Sequence, residues 1–200
     1  MFKMAGMTMV AASLALVACD QNPAGNAPES GVEGTPMANE TVPPSELAAA
    51  SLSRQDFADT MAASDAFEVA SARLATEKAS TPEVKAYAQK MIQAHNTSTE
   101  KLKKEAAALT PAIKPDPALS LEQQKKLDEL GKLSGAEFER VYVADQIAAH
   151  EKALEVVQAY SADGDEPKLK TFATDAMKMV SDHLDEARKL GTSGAKVANP

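Results

Sequence analysis

Tryptophan is absent from this 200-residue chain, all aromatics together make up 4% of it, and there is a single cysteine. Strands draw heavily on aromatic side chains. Their scarcity, beside abundant alanine, leucine, glutamate and lysine, points to an all-α protein. One cysteine rules out a disulfide within the chain. No glycine-rich phosphate loop, no HExxH and no nucleophile elbow is present, so nucleotide, zincin and α/β-hydrolase chemistries have no motif here. Positive charge is also short: of the net −8, the segment 20–52 carries −5 and Lys3 carries +1, leaving −4 for residues 53–200. A mildly acidic domain of mixed sign shows neither a nucleic-acid footprint nor a basic face for anionic lipid.

The chain opens with an address. Residues 1–18 hold one basic residue, Lys3, and then a mostly apolar run that is short for a membrane span and reads as a secretory signal. Its end, Leu16-Val17-Ala18-Cys19, resembles the lipobox of bacterial lipoproteins, which makes Cys19 the expected lipidation site. Acyl chains there would tether the protein to a membrane that it does not cross. By the same resemblance, Asp20 and Gln21 favour retention at the inner membrane. Residues 19–52 are rich in proline, glycine and asparagine, contain five acids and no lysine or arginine, and read as a disordered tether with a reach of about 30 Å.

A helical domain is expected over 53–190. Ser53 and Asp56 form a box-like N-cap, and Phe57, Met61, Phe67, Ala70 and Leu74 line an apolar face that runs to Lys78. Ser80 to Glu83 forms a second box with Pro82 in the first turn. Val84, Ala88, Met91, His95, Ser98, Leu102, Ala106 and Leu109 then recur at steps of four and three, the seam of a helix packed against helices. Three prolines between Thr110 and Ser120 break the chain. A short accessory helix with Leu121, Leu127, Leu130 and Leu133 on one side follows. A third box, Ser134 to Glu137, starts a long helix carrying Val143, Ile147, His150, Leu154 and Val157, which Gly164 closes. Asp165 caps the last helix, whose face holds Leu169, Phe172, Ala176, Met179, His183, Ala187 and Leu190. Gly191 and Gly194 end it, leaving 191–200 as a loose tail. Two hairpins joined by a longer crossover with an accessory helix give an antiparallel four-helix bundle of ferritin-like connectivity.

The chain has three histidines, and each falls on the apolar seam of a different long helix. Glu68 falls on the seam of the remaining one. Counted from the hairpin turns, the partners in each hairpin differ in height by roughly 5 to 8 Å, so all four side chains can share one interior layer. Two readings fit. Three neutral imidazoles and a carboxylate, Glu68, His95, His150 and His183, are good ligands for one transition-metal ion. Alternatively, histidines hydrogen-bonded to Glu68, Ser98, Asp145 or Asp182 would fix helix register without metal. Met91 and Met179 each precede a histidine by four residues and could add soft sulfur for Cu(I), or simply fill the core. Di-iron bundles use Glu-x-x-His on two helices, but Ile92, Ile147 and Val180 stand three residues before these histidines. Glu151 and Asp182 adjoin histidines yet point about 100° away on their helices.

Three stretches carry a family resemblance: FEVASARLATEKASTPEVKAYAQKMIQAHNTSTEKL from Phe67, FERVYVADQIAAHEKALEVV from Phe138 and LKTFATDAMKMVSDHLDEARKL from Leu169. They resemble the bacterial exported family called domain of unknown function 4142. The resemblance implies a ferritin-like bundle in the periplasm or at the outer membrane, which leaves the choice between inner and outer membrane open. Its hallmarks fall on Glu68, His150-Glu151 and His183. This chain has Ala94-His95 where the family often has Asp-His, so no carboxylate role carries over to position 94. The family brings no established activity. The chemistry of the residues favours a binding or envelope-maintenance protein over an enzyme, with a structural or protein-interaction module as the alternative and a redox enzyme as a third class.

Overall fold

The structure, a computed structural model, describes residues 52–197. The expected signal, Cys19 and the tether up to residue 51 lie outside the described residues. Five α-helices follow in order: α1 Arg54–Lys78, α2 Pro82–Ala107, α3 Leu121–Lys132, α4 Gly135–Asp163 and α5 Pro167–Val197. Among the described residues there is no strand, and no helix is long and apolar enough to cross a membrane.

The helix starts are only partly those the sequence suggests. Ser53 caps α1 as expected, its Oγ accepting from the Asp56 N–H at 3.2 Å and donating to Asp56 Oδ2 at 2.7 Å. Such a cap contributes about 1 kcal/mol. At α2 the cap is Thr81, one residue later than expected, with Val84 N–H reaching its Oγ1 at 3.5 Å. The backbone N–H groups of Ser80 and Thr81 instead donate to Glu139 Oε1 on α4, at 2.6 and 2.5 Å. A distant carboxylate has taken the place of the local box. A full capping box that the sequence reading did not identify starts α3, between Ser120 and Gln123. The box expected from Ser134 to Glu137 is not made: Ser134 is the N-cap but its side chain bonds nothing. Gly135 adopts φ +61°, and a left-handed first residue loses the alignment that places an N-cap hydroxyl over the N3 amide.

The last hairpin also departs from expectation. Asp165 is engaged by the Tyr160 hydroxyl at 2.8 Å, so Glu166 holds the start of α5, its Oε1 accepting from Lys168 N–H at 3.2 Å. Gly164 does close α4, and its need for glycine is steric: a Cβ there would lie 2.5 Å from Tyr160 O and 2.6 Å from the Tyr160 ring. Gly191 and Gly194 do not end α5, which runs to Val197. Gly191 lies against Val143 and Ile147 of α4, and tertiary packing overrides the modest cost of glycine in a helix.

The long helices form an all-α bundle in which α1 packs on α2 and α4, and α5 packs on the same two, while α3 sits over α1 and α4. Two apolar clusters fill it. One contains Phe57 and Met61 of α1, Leu102 of α2, Val157 and Tyr160 of α4, and Leu169 and Phe172 of α5. The other contains Ala72 and Ala75, Tyr87 and Met91, Phe138 and Tyr142, and Ala187, again from all four, with Leu130 of α3. On every long helix the buried polar residues fall between the two in sequence: Asp65, Glu68 and Ser71; His95 and Ser98; Gln146 and His150; His183. Of the accessory-helix leucines, Leu130 is buried, Leu127 and Leu133 are half-buried, and Leu121 is 92% exposed. The apolar side expected there is therefore mostly spent inward.

Candidate metal centre

The three histidines meet. Their ring centroids form a nearly equilateral triangle with sides of 5.6, 5.6 and 5.5 Å, and the rings are tilted 53 to 77° to one another. Each offers a nitrogen lying within 4.8 Å of the other two, and all three side chains are buried. Seams with steps of four and three point His95, His150 and His183 at one interior spot because each falls in the polar interval between the two apolar clusters.

What surrounds each ring sets its protonation. His95 Nδ1 lies 2.8 Å from Asp65 Oδ1, and a carboxylate there accepts, so Nδ1 carries a proton and Nε2 is turned to the interior. Thr99 Oγ1 donates to the other Asp65 oxygen at 3.1 Å. His150 Nδ1 lies 2.8 Å from the Gln146 carbonyl. A carbonyl only accepts, so this ring also keeps its lone pair on Nε2. His95 Nε2, His150 Nε2 and His183 Nδ1 are all buried without a hydrogen-bond partner. Burial lowers the affinity of His95 for a second proton, but the Asp65 hydrogen bond and the charges of Glu68 and Asp65 outweigh it and raise the group. His150 is lowered by burial, only partly offset by Glu68. Burial, with the neighbouring charges of His95 and His150, brings His183 down to about 3.

Glu68 stands apart from this triangle. Its Oε2 accepts from Gln146 Nε2 at 2.6 Å, its Oε1 is buried without a partner, and it is not among the groups whose donor atoms converge within 4.8 Å. It bears on the site through its charge, which raises both His95 and His150. The other acceptors suggested by sequence do not reach the histidines. Asp145 pairs with Lys126 at 2.7 Å, Asp182 pairs with Lys178 at 2.7 Å on the surface, and the Ser98 hydroxyl is unpartnered. Glu151 pairs with Arg188 at 2.8 Å and faces outward. Met91 is fully buried in an apolar cluster, while Met179 is half-buried and lines a cleft between α2 and α5 that also touches His183.

Asp65 and Gln146 are the residues that the sequence reading passed over. A signal existed for both. Met61, Asp65, Glu68, Ala72 and Ala75 step by four, three, four and three along α1, and Tyr142, Gln146 and His150 step by four along α4; all are buried.

Three imidazoles with their second nitrogens anchored at two of the three positions are a donor set for a transition metal. Around a single ion about 2.1 Å from each nitrogen the donors would stand about 3.4 Å apart, within a short contraction of the separations here. Fold and site together define an interior three-histidine centre in an all-helical bundle. The chain belongs to the family described as Domain of unknown function (DUF4142), which matches residues 39–190. Two solved structures share its fold: CopM in the Cu(I)-bound form and CopM in the Cu(II)-bound form. Each has 18% identity and a TM-score of 0.60, covering 71% of this chain and 97% of that one. Among curated proteins none matches the chain by sequence.

Proposed function

We propose that this protein binds one transition-metal ion, of the copper class, through His95, His150 and His183 in the interior of an exported, membrane-tethered bundle. The observation that carries the reading is the convergence of three buried imidazole nitrogens that have no hydrogen-bond partner. An unpaired buried polar atom costs about 1 to 3 kcal/mol, and three in one place are accounted for together by a shared cation. Imidazole suits Zn, Cu, Fe and Ni; the likeness in fold to a protein solved with Cu(I) and Cu(II) favours copper. Glu68 supplies negative charge beside the ligands.

The bundle itself we infer to be antiparallel with ferritin-like connectivity. The order of the two apolar clusters along the chain reverses from α1 to α2 and again from α4 to α5. Lipidation at Cys19 would hold the domain at the periplasmic face of the inner or outer membrane. The competing reading, a hydrogen-bonded layer without metal, accounts for the Asp65–His95 and Gln146–Glu68 contacts but leaves the three inward nitrogens without a role.

Elemental analysis of full-length protein, purified without chelator or affinity histidines, tests this beside the His95, His150, His183 triple alanine variant. Near-stoichiometric copper that disappears in a variant of unchanged helicity is the expected result. A wild-type protein that is metal-free and resists reconstitution with copper or zinc overturns the reading.

A further inference from the structure

The three histidines are not held alike. His95 and His150 are each fixed through Nδ1, by Asp65 and by the Gln146 carbonyl. His183 lacks such an anchor, its Nδ1 being buried and unpartnered. It is also the one triad member that lines the cleft between α2 and α5, a cavity of about 370 Å³. The cavity of about 610 Å³ between α1, α3 and α4 touches none of the three. Interhelix ion pairs, Lys90 with Glu186 and Lys101 with Asp175, join α2 to α5 beside the cleft. Met179 lies on its wall, four residues and one helical turn before His183. Gln93 and Thr97 are exposed at its rim, and the unpartnered Ser98 hydroxyl is buried in it.

We propose that the α2–α5 cleft is the metal's way in and out, with Met179 and His183 forming a transit site for a soft monovalent cation of the Cu(I) class. The proposal rests on the interior three-histidine reading and adds the route to it. A thioether at the wall takes Cu(I) readily and Zn(II) poorly. His183, whose ring is free of the hydrogen bond that pins its two partners, turns from the cleft to the interior and hands the ion to His95 Nε2 and His150 Nε2. The ion keeps its oxidation state, and ligands exchange one at a time. Two fixed donors and one movable donor are what such a transfer requires: a fully pinned cage would have to open its fold to exchange metal.

The test is stopped-flow loading of the full-length protein with Cu(I) from a weak chelator, and unloading to a strong one, with Zn(II) in parallel. Met179→Leu is expected to slow Cu(I) loading and unloading at least tenfold while changing the equilibrium constant less than twofold, and to leave Zn(II) rates unchanged. Gln93→Trp, an exposed substitution that covers the mouth without entering the core, is expected to slow both ions. Cu(I) rates unaltered by either variant overturn the portal while wild-type loading upholds the three-histidine centre. Equal slowing of Zn(II) by Met179→Leu reduces Met179 to packing and overturns the transit site. A wild-type chain that takes up neither ion removes the centre and the portal together.

Discussion

His95 Nδ1 and Asp65 Oδ1 lie 2.8 Å apart with both side chains buried, making Asp65 the residue that sets which nitrogen of His95 faces the interior. A carboxylate behind a ligating imidazole fixes its tautomer and raises its basicity, and losing such a partner typically costs 10- to 100-fold in metal affinity. Asp65→Asn keeps the shape and an acceptor oxygen but removes the charge. Copper affinity measured by chelator competition should fall by at least about tenfold, with helicity unchanged. An affinity within twofold of wild type would make Asp65 a structural partner only.

Metal binding should also be visible as stability. A ligand that binds the folded chain alone stabilises it by about 2.7 kcal/mol at a hundredfold excess over Kd, which for a domain of this size corresponds to a rise of roughly 5 to 10 °C in Tm. Addition of metal should raise the melting temperature by that order and chelation should reverse it. The triple alanine variant should show no response to either. Equal shifts in both proteins would place the binding outside the histidines.

Acid sensitivity has a separate origin at Glu139. Burial acts to raise this carboxyl, but hydrogen bonds from Thr81 and Ser80 outweigh it, and the group is held below its ordinary 4.5. A depressed carboxylate contributes stability above its unfolded value, and that contribution is lost as pH falls through about 4.5 and on toward the folded value. Glu139→Gln should therefore be less stable than wild type at pH 7, with the gap in urea midpoint narrowing as pH falls below about 4.5. A gap that persists undiminished at acid pH would show that the side chain acts through packing and not through charge.

The seam of α2 was legible residue by residue: Val84, Ala88, Met91, His95, Ser98, Leu102 and Ala106 are all buried, as is Leu109 just past the helix end. So was the meeting of the three histidines, because apolar periodicity fixes which face of a helix turns inward and hairpin length fixes the height. On α1 the reading drifted. Ala70 and Leu74, assigned to the core, are half-buried, while Asp65 and Ser71 are fully buried. Glu68 belongs to the same inward stripe as Asp65, but an apolar face drawn through Ala70 and Leu74 leaves Asp65, the partner of His95, off it. Caps failed where a distant group intervened, as Glu139 does at Ser80 and Thr81. Local sequence holds no record of a carboxylate 58 residues away.

Two tyrosines at opposite ends of the core should respond differently to loss of a hydroxyl. Tyr160 stacks on Phe57 with centroids 3.8 Å apart and donates to Asp165 at 2.8 Å; a hydrogen bond to a charged acceptor is worth about 1.5 to 3 kcal/mol. Tyr142 is equally buried, but its hydroxyl has no partner. Burial, with the Glu68 charge beside it, holds its proton firmly on. A buried donor without an acceptor costs folding energy, and removing it leaves the ring packed against Phe138 and Tyr87. Tyr160→Phe should therefore destabilise by about 1 kcal/mol or more, whereas Tyr142→Phe should be neutral or stabilising. Denaturant titration decides it. A loss of about 1 kcal/mol in Tyr142→Phe, comparable to that of a deleted hydrogen bond, would show that the hydroxyl is hydrogen-bonded after all, extending the polar layer one helical turn beyond Gln146.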